Sequence, residues 1–192
     1  DPCVPTVEVG EHVLIGQCVG MPLPGTFASP IHSGISGTVT EIKDISLPNG
    51  TTCKAVYIES DRKRTNHESI YPRSDVNVSG SAVMGIVSDA GIVGMGGEGV
   101  PSIAKIIRAK KLGAKELLIN CLQSEPFAYC DFLRIKDSAE YIVMGAVALA
   151  GAMNIKKISF LISNKHKAEI DMLQNAMQLT AHRYSGYAFN VK

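Results

Sequence analysis

Residues 91–101 read GIVGMGGEGVP, and this glycine-rich stretch decides how the second half of the chain is interpreted. It holds a G-x-G-x-x-G pattern at Gly94, Gly96 and Gly99, with a further glycine at Gly97. Backbone without side chains can approach a ligand closely, and the closing proline suits the first turn of a helix, whose free N–H groups attract phosphate. The same pattern fits a tight connection into a helix without any ligand, so the spacing alone leaves both interpretations open.

Strands alternate with helices after this stretch. Helices are predicted at 102–111, 137–153 and 166–181, and buried strands at 116–121 and 157–163. Their apolar faces are expected to contain Ile103, Ile106 and Ile107 in the first helix, and Ile170, Leu173, Met177 and Leu179 in the last. Such alternation predicts a parallel sheet with helices packed on it.

Two further features concern the start of the second helix and the C-terminal segment. Asp137, followed by Glu140, has the spacing of a capping box and is expected to begin the second helix. The segment 184–191 is expected to start another strand, for which the sequence identifies no partner.

Residues 1–72 have a different pattern, in which short apolar alternations are separated by Gly and Pro turns. Two segments, 7–17 and 29–42, resemble the hooked strands of the barrel-sandwich hybrid found in biotinyl and lipoyl domains. Those carriers attach their cofactor to a lysine at a hairpin tip, whereas residues 32–37 contain none. We therefore expect a scaffold or docking module here, not a swinging arm.

The fold class predicted from both patterns is α+β overall. A barrel-sandwich-hybrid-like β domain at 1–72 is followed by a linker at 73–80 and a Rossmann-like α/β domain at 81–192. The basic run Arg62–Arg64 near the linker is expected to be a solvated loop.

A second candidate loop follows the strand predicted at 116–121. Ligands of parallel sheets bind at the carboxyl ends of the strands, so Asn120 and Glu125 are candidates to bond the hydroxyl groups of a ribityl or ribose chain. Residues of these types also satisfy the backbone of their own turn, and the spacing favours that second role. Cys121, where strand meets loop, is expected to be a small buried side chain; a reactive thiol is the alternative.

Together the two loops resemble the C subunit of the Rnf electron-transport complex and, more distantly, the flavin-binding subunit of respiratory NADH dehydrogenase. The family pattern G-I-x-G-x-G-G-A-G-F-P-T-x-x-K aligns with residues 91–105, which read GIVGMGGEGVPSIAK. The pattern I-N-x-x-E-x-E-P-x-x-x-x-D aligns with 119–131, where the chain reads INCLQSEPFAYCD. Asn164 and Lys165, and the two hooked segments, add to the resemblance.

The resemblance implies that FMN is bound by Gly94, Gly96, Gly97, Gly99 and Lys105, with Asn120 and Glu125 near the flavin. Electrons would pass from NADH through FMN to 4Fe-4S clusters held by cysteines beyond this chain, which would be the N-terminal part of a longer subunit with an incomplete α/β domain. The implied partners are other subunits of a redox complex. No catalytic residue and no metal ligand is assigned within the chain.

Three positions depart from the family pattern. Glu98 replaces an alanine, Val100 a phenylalanine and Gln123 an acidic residue. A carboxylate at 98 would repel a flavin phosphate. These departures keep open a second interpretation, in which a flavin-free docking or scaffold module serves a redox assembly such as an amino-acid reductase.

Composition excludes several function classes. The 192 residues carry a net charge of +1 and are 45% hydrophobic, so no strong basic field exists for nucleic acid or acidic lipid. The five cysteines contain no C-x-x-C pair, which argues against a disulfide framework or a cluster site and favours a reduced, cytoplasmic setting. The longest apolar stretch, 141–153, is too short to span a bilayer. We expect a cytoplasmic protein, peripheral to the membrane if its complex is membrane-bound.

Overall fold

The computed structural model describes residues 3–71, 79–95, 99–123, 125 and 127–192. Six strands form in the N-terminal part, as the alternating pattern predicts. They are β1 (Cys3–Pro5), β2 (His12–Val13), β3 (Cys18–Pro22), β4 (Ile31–His32), β5 (Gly37–Ser46) and β6 (Thr52–Ser60). The frequent glycines and prolines between the apolar positions keep most of these strands short.

These strands form two antiparallel sheets, with orders β1-β3-β4 and β2-β5-β6. A small core forms from side chains that alternate inward, Val7, Val13, Val19 and Val39, each no more than 6% exposed. At 37 a side chain would meet the Glu59 carbonyl group across the β5–β6 pair, so only glycine fits there. The predicted β character of this part is confirmed.

A polar clamp fixes the chain just after β6. The buried Ser36 hydroxyl donates to Asp61 Oδ1 at 2.7 Å and accepts the Thr65 N–H at 3.1 Å. The Lys63 N–H donates to the same carboxylate at 2.8 Å, and His12 Nε2 lies 3.0 Å from its other oxygen. The Ser36 bond, followed by the Lys63 N–H, lowers the pKa of Asp61 to about 2. Ser36 is only 1% exposed and bonds the Asp61 carboxylate directly. We therefore assign a structural role to the clamp formed by the Ser36, Asp61 and His12 side chains.

Helices and a parallel sheet make up the rest of the described chain. The elements are α1 (Gly80–Asp89), α2 (Ser102–Lys111), β7 (Glu116–Asn120), α3 (Cys130–Met153), β8 (Lys157–Leu161), α4 (Lys167–Arg183) and β9 (Ala188–Val191). The mixed α and β class with a parallel sheet is therefore confirmed.

The parallel sheet has the order β7-β8-β9, with β8 in the centre. Ile158, Ser159 and Phe160 of β8 are fully buried, as expected for a strand covered on both faces. Helix α3 contacts β8 and packs against α4, whose Leu173 is also fully buried. The strand expected at 184–191 forms as β9, and its partner is β8.

Three apolar positions predicted to be buried are exposed. Leu118 is 53% exposed, so the strand β7 forms as predicted, at the edge of the described sheet, but is not buried. Ile107 on α2 and Leu179 on α4 are 51% and 60% exposed, whereas Ile106 and Leu173 on the same helices are buried. The helical period is correct, but the contacting face is narrower than the apolar pattern suggests.

The start of α3 also differs from the prediction. The helix begins at Cys130, seven residues before the expected N-cap at Asp137. Ser138 has non-helical angles, φ −150° and ψ 33°, which interrupt the helix next to that position. The capping-box pattern therefore marks an interruption within a longer helical segment.

Helix α1 is not predicted by the sequence pattern. The Ser79 hydroxyl accepts the Ala82 N–H at 3.3 Å, as an N-cap does, and Val83 and Val87 are buried four residues apart. The chain as a whole divides into two compact units, Asp1–Ser74 with Gly85–Lys105, and Asp75–Met84 with Ile106–Lys192.

We predict that Asp61→Asn lowers the melting temperature at pH 7, since it removes the ionised acceptor of the clamp. With a folded pKa near 2 and a reference value of 3.8, the stability from this carboxylate is present above about pH 3.8 and is lost as the pH falls towards 2. Thermal unfolding measured from pH 7 to pH 2 should give a flatter acid limb for the variant. Asp44→Asn, which breaks an exposed pair with Lys54, is the control. Coincident curves for the two variants would contradict the role of the clamp.

We predict that Leu173→Ala lowers the free energy of unfolding by about 2–5 kcal/mol, because it leaves a cavity at a fully buried site. Leu179→Ala, on the same helix but 60% exposed, should change it by less than about 0.5 kcal/mol. Urea unfolding of both variants checks the assignment of the α4 face. Equal destabilisation would show that the face is wrongly assigned.

Candidate functional site

The glycine stretch forms a loop that closes on itself immediately before α2. The Gly94 N–H donates to the Val100 carbonyl and the Ser102 N–H donates to the Ile92 carbonyl, both at 2.8 Å. A β-bridge joins the intervening pair, Val93 and Pro101. These two hydrogen bonds hold the ends of the loop together, and α2 begins directly after the loop.

Lys105 lies against the base of this loop. A Cβ atom added at Gly94 would lie 2.6 Å from Lys105 Nζ, closer than non-bonded atoms can approach. Glycine at 94 therefore leaves the space that the lysine ammonium group occupies. The first turn of α2 contains no acidic residue, so the ammonium group adds to the positive end of the helix dipole.

Two other glycines of the stretch have positive φ angles, +64° at Gly91 and +60° at Gly99. A side chain at Gly91 would also meet the carbonyl oxygen of Pro30, so the loop base approaches the segment before β4 backbone to backbone. Gly96 and Gly97, predicted to contact FMN, and Glu98, predicted to disturb it, lie outside the described residues.

The second predicted loop begins at the carboxyl end of β7. Asn120 Oδ1 accepts the Leu122 N–H at 3.0 Å, and Gln123 Nε2 donates to the Glu125 carbonyl at 2.9 Å. Asn120 and Glu125 are both exposed. The structure therefore brings these two residues into one loop, where the Asn120 carbonyl oxygen satisfies its own turn.

The two loops fall in different compact units, with Gly94 in one and Asn120 in the other. That they face each other across a shared slot stays a prediction from the sequence. Within each loop, the residues named from the sequence are close together: Gly94, Gly99 and Lys105 in the first, and Asn120 and Glu125 in the second.

Cys121 has the expected buried role. It is 5% exposed, and its N–H donates to the Leu161 carbonyl at 2.8 Å, which extends the β7–β8 ladder. Burial, with a smaller contribution from the nearby Asp131 carboxylate, raises the pKa of the thiol to about 11. At neutral pH the thiol is protonated, so it is a poor nucleophile.

Sequence reasoning missed one contact beside the second loop. The Phe132 and His166 rings are stacked with centroids 3.9 Å apart and an interplanar angle of 27°. This contact joins the start of α3 to the residue that precedes α4. No local signal could have revealed it, since the two rings are 34 positions apart and meet only after the sheet has formed.

The described ranges 3–71, 79–95, 99–123, 125 and 127–192 contain neither a cluster of metal ligands nor a membrane-spanning helix. Within them, no group of three or more His, Cys, Asp or Glu side chains is arranged to hold a metal ion. No helix among these residues is both long enough and apolar enough to cross a membrane.

Two family descriptions match the chain. Residues 87–191 match the Nuo51 FMN-binding domain, and this range includes both loops described above. Residues 1–63 match the RnfC barrel sandwich hybrid domain, which covers the two antiparallel sheets.

Curated relatives match over most of the chain. The C subunit of the Na⁺-translocating ferredoxin:NAD⁺ oxidoreductase complex of Acetobacterium woodii is 29% identical over 92% of this chain and 40% of its own length. The C subunit of the ion-translocating oxidoreductase complex of Pseudomonas aeruginosa is 33% identical over 75% of this chain and 19% of its own length. The chain therefore spans two-fifths or less of these relatives.

Solved structures show the same fold at lower identity. The NAD⁺-reducing [NiFe]-hydrogenase matches 59% of this chain and 20% of its own chain, both in the H₂-reduced state (TM-score 0.53, 20% identity) and in the air-oxidised state (TM-score 0.55, 21% identity). The chain thus belongs to the family of the Nuo51 FMN-binding domain, in the RnfC-like form that carries a barrel sandwich hybrid domain before it.

Proposed function

We propose that this chain is the FMN-binding part of an RnfC-like electron-transfer subunit, passing electrons from NADH through FMN to iron–sulfur clusters outside the chain. The observation that carries the proposal is the Lys105 ammonium group, held against the bare backbone of Gly94 at the start of α2. A lysine at a helix N-terminus is unfavourable, because both are positive. A bound phosphate removes that repulsion, because its negative charge offsets both the ammonium group and the positive end of the helix dipole.

The residues present fit an FMN phosphate. The loop supplies glycine where a side chain would displace the lysine, and a positive φ at Gly99 that disfavours other residues. We assign Gly94, Gly96, Gly97, Gly99 and Lys105 to the phosphate and flavin. FMN, when bound, supplies the chemistry of accepting a hydride from NADH and releasing its electrons one at a time.

The role of the protein is placement and electrostatics. We assign Asn120 and Glu125 to the hydroxyl groups of the ligand, since their loop follows the carboxyl end of a parallel strand. The Asn120 side-chain oxygen already accepts a backbone N–H, so the side-chain NH₂ group is the one that would donate to the ligand. We further propose that β7, β8 and β9 belong to a Rossmann-like sheet, with domains at 1–72 and 81–192 joined by a linker at 73–80.

We propose further that the chain works within a multi-subunit redox complex, on its cytoplasmic side and peripheral to the membrane. The relatives named above are C subunits of ion-translocating complexes, which supports this assignment.

A flavin-free docking module is the second candidate. Gln123 replaces an acidic residue of the family pattern, and its amide donates to the backbone of its own loop. A neutral amide is a weaker acceptor for a ribityl hydroxyl group than the carboxylate that it replaces. In this version the barrel-sandwich domain binds another subunit and the α/β domain keeps its fold without its cofactor.

Reconstitution with FMN separates the two candidates. We expect the purified chain to bind FMN with quenching of the flavin fluorescence, and NADH to bleach the yellow absorption band. Retained FMN without bleaching would mean that the chain binds flavin but not NADH. Absence of any FMN binding would exclude the flavoprotein and leave the docking module.

We predict that Lys105→Gln weakens FMN binding by about ten- to a hundredfold, the effect of removing a charged hydrogen bond to phosphate. Lys110→Gln, on the same helix and also exposed, should leave the affinity unchanged. Fluorescence titration with FMN and with riboflavin, which lacks the phosphate, measures both. Loss of riboflavin affinity equal to the loss of FMN affinity would contradict a phosphate role for Lys105.

A further inference from the structure

Helix α2 has an exposed face that combines positive charge with apolar side chains. Lys105, Arg108, Lys111 and Leu112, the last just after the helix end, follow the spacing i, i+3, i+6, i+7 and lie on one exposed face, and Ile107 borders that face beside Lys111, four residues on. Ile107 is 51% and Leu112 73% exposed, and the three cations are exposed as well. These five residues are called the basic face below.

The positive charge of this region forms no ion pair among the described residues. Residues 99–115 contain five basic side chains and no acidic one, although the whole chain has a net charge of only +1. Among the ion pairs of the described residues, none involves a cation from this stretch. Like charges spaced i, i+3, as at 105, 108 and 111, destabilise a helix slightly.

A simpler explanation covers only part of this pattern. Basic residues in the last turn of a helix interact favourably with its dipole, which accounts for Arg108, Lys110 and Lys111. It does not account for Lys105 near the start of the helix. It also leaves unexplained why Ile107 and Leu112 are exposed between the cations.

We propose that the basic face docks a partner protein that presents carboxylates to Arg108 and Lys111 and apolar side chains to Ile107 and Leu112. Protein interfaces combine apolar contacts with polar and charged groups in this way. Cations that have no ion-pair partner among the residues the structure describes can accelerate and orient the encounter with an acidic surface.

A protein fits this face better than a lipid surface does. A helix that inserts into a membrane interface needs a broad apolar side, often with aromatic residues. In α2 the apolar side faces the protein, where Ile106 is 4% exposed, and the helix contains no aromatic residue. The two exposed apolar side chains suffice for a contact patch but not for insertion.

The basic face shares one residue with the candidate flavin loop. Lys105 belongs both to the basic face and to the base of the glycine loop. The other four residues lie outside that loop, so the docking itself does not depend on flavin. Failure to bind FMN would overturn the proposed function and leave the docking proposal standing.

Site-specific photo-cross-linking in the assembled complex tests the proposal. A photoreactive amino acid replaces Leu112 in the full-length subunit, and Leu179, exposed on α4, is the control position. We expect Leu112 to cross-link to an Asp- and Glu-rich segment of one protein, identified by mass spectrometry, with a yield that falls as salt is raised. Cross-links to lipid, to a segment without acidic residues, or at equal yield from both positions would overturn the proposal.

Charge reversal gives a second, matched test. R108E/K111E should reduce the Leu112 cross-link on the order of tenfold. K110E/K115E changes the net charge by the same amount away from the basic face and should reduce it much less. Equal loss in the two variants would show a nonspecific charge effect and overturn the proposal, and circular dichroism of both confirms that they fold.

Discussion

The absence of a side chain at Gly94 is the constraint on which the first candidate loop depends. It lets the Lys105 ammonium group lie against the backbone at the start of α2. The hydrogen bonds between Gly94 and Val100 and between Ile92 and Ser102 fix that backbone, so the ammonium group lies against a defined surface. Positive charge is thereby added to the positive end of the helix dipole, which favours an anion at this point.

The second loop depends on a different physical cause, the burial of β8. Full burial of Ile158 and Phe160 fixes the central strand, and β7 pairs with it in parallel register through Asn120. The Cys121 N–H extends that pairing by one more bond to the Leu161 carbonyl. The loop that follows therefore starts from a defined point, although most of its own side chains are exposed.

Much of the fold could be predicted because local signals and burial agree. Strands β5 and β6 and the elements α2, β8 and α4 form where the apolar period places them. Exposure is harder to predict, since an apolar residue such as Leu118 or Leu179 contributes to the period whether or not another element covers it. Which face is covered depends on the order of strands and helices in space, and a single sequence does not encode that order locally.

The start of α3 shows the same limit, because Asp137 and Glu140 have capping-box spacing, yet the helix continues on both sides of Ser138. The candidate residues were found because the glycines, an Asn and a Glu-Pro pair form patterns that can be recognised in the sequence. The Phe132–His166 stack forms no such pattern, and only the tertiary structure reveals it.

The buried thiol of Cys121 has a consequence for the electron-transfer function proposed above. With a pKa of about 11, on the order of one thiol in ten thousand is ionised at pH 7. Peroxide formed by stray reaction of a reduced cofactor with oxygen attacks thiolates, so it would find almost none at this strand end. The fold can thus place a cysteine next to a candidate redox loop without making it a target for oxidative damage.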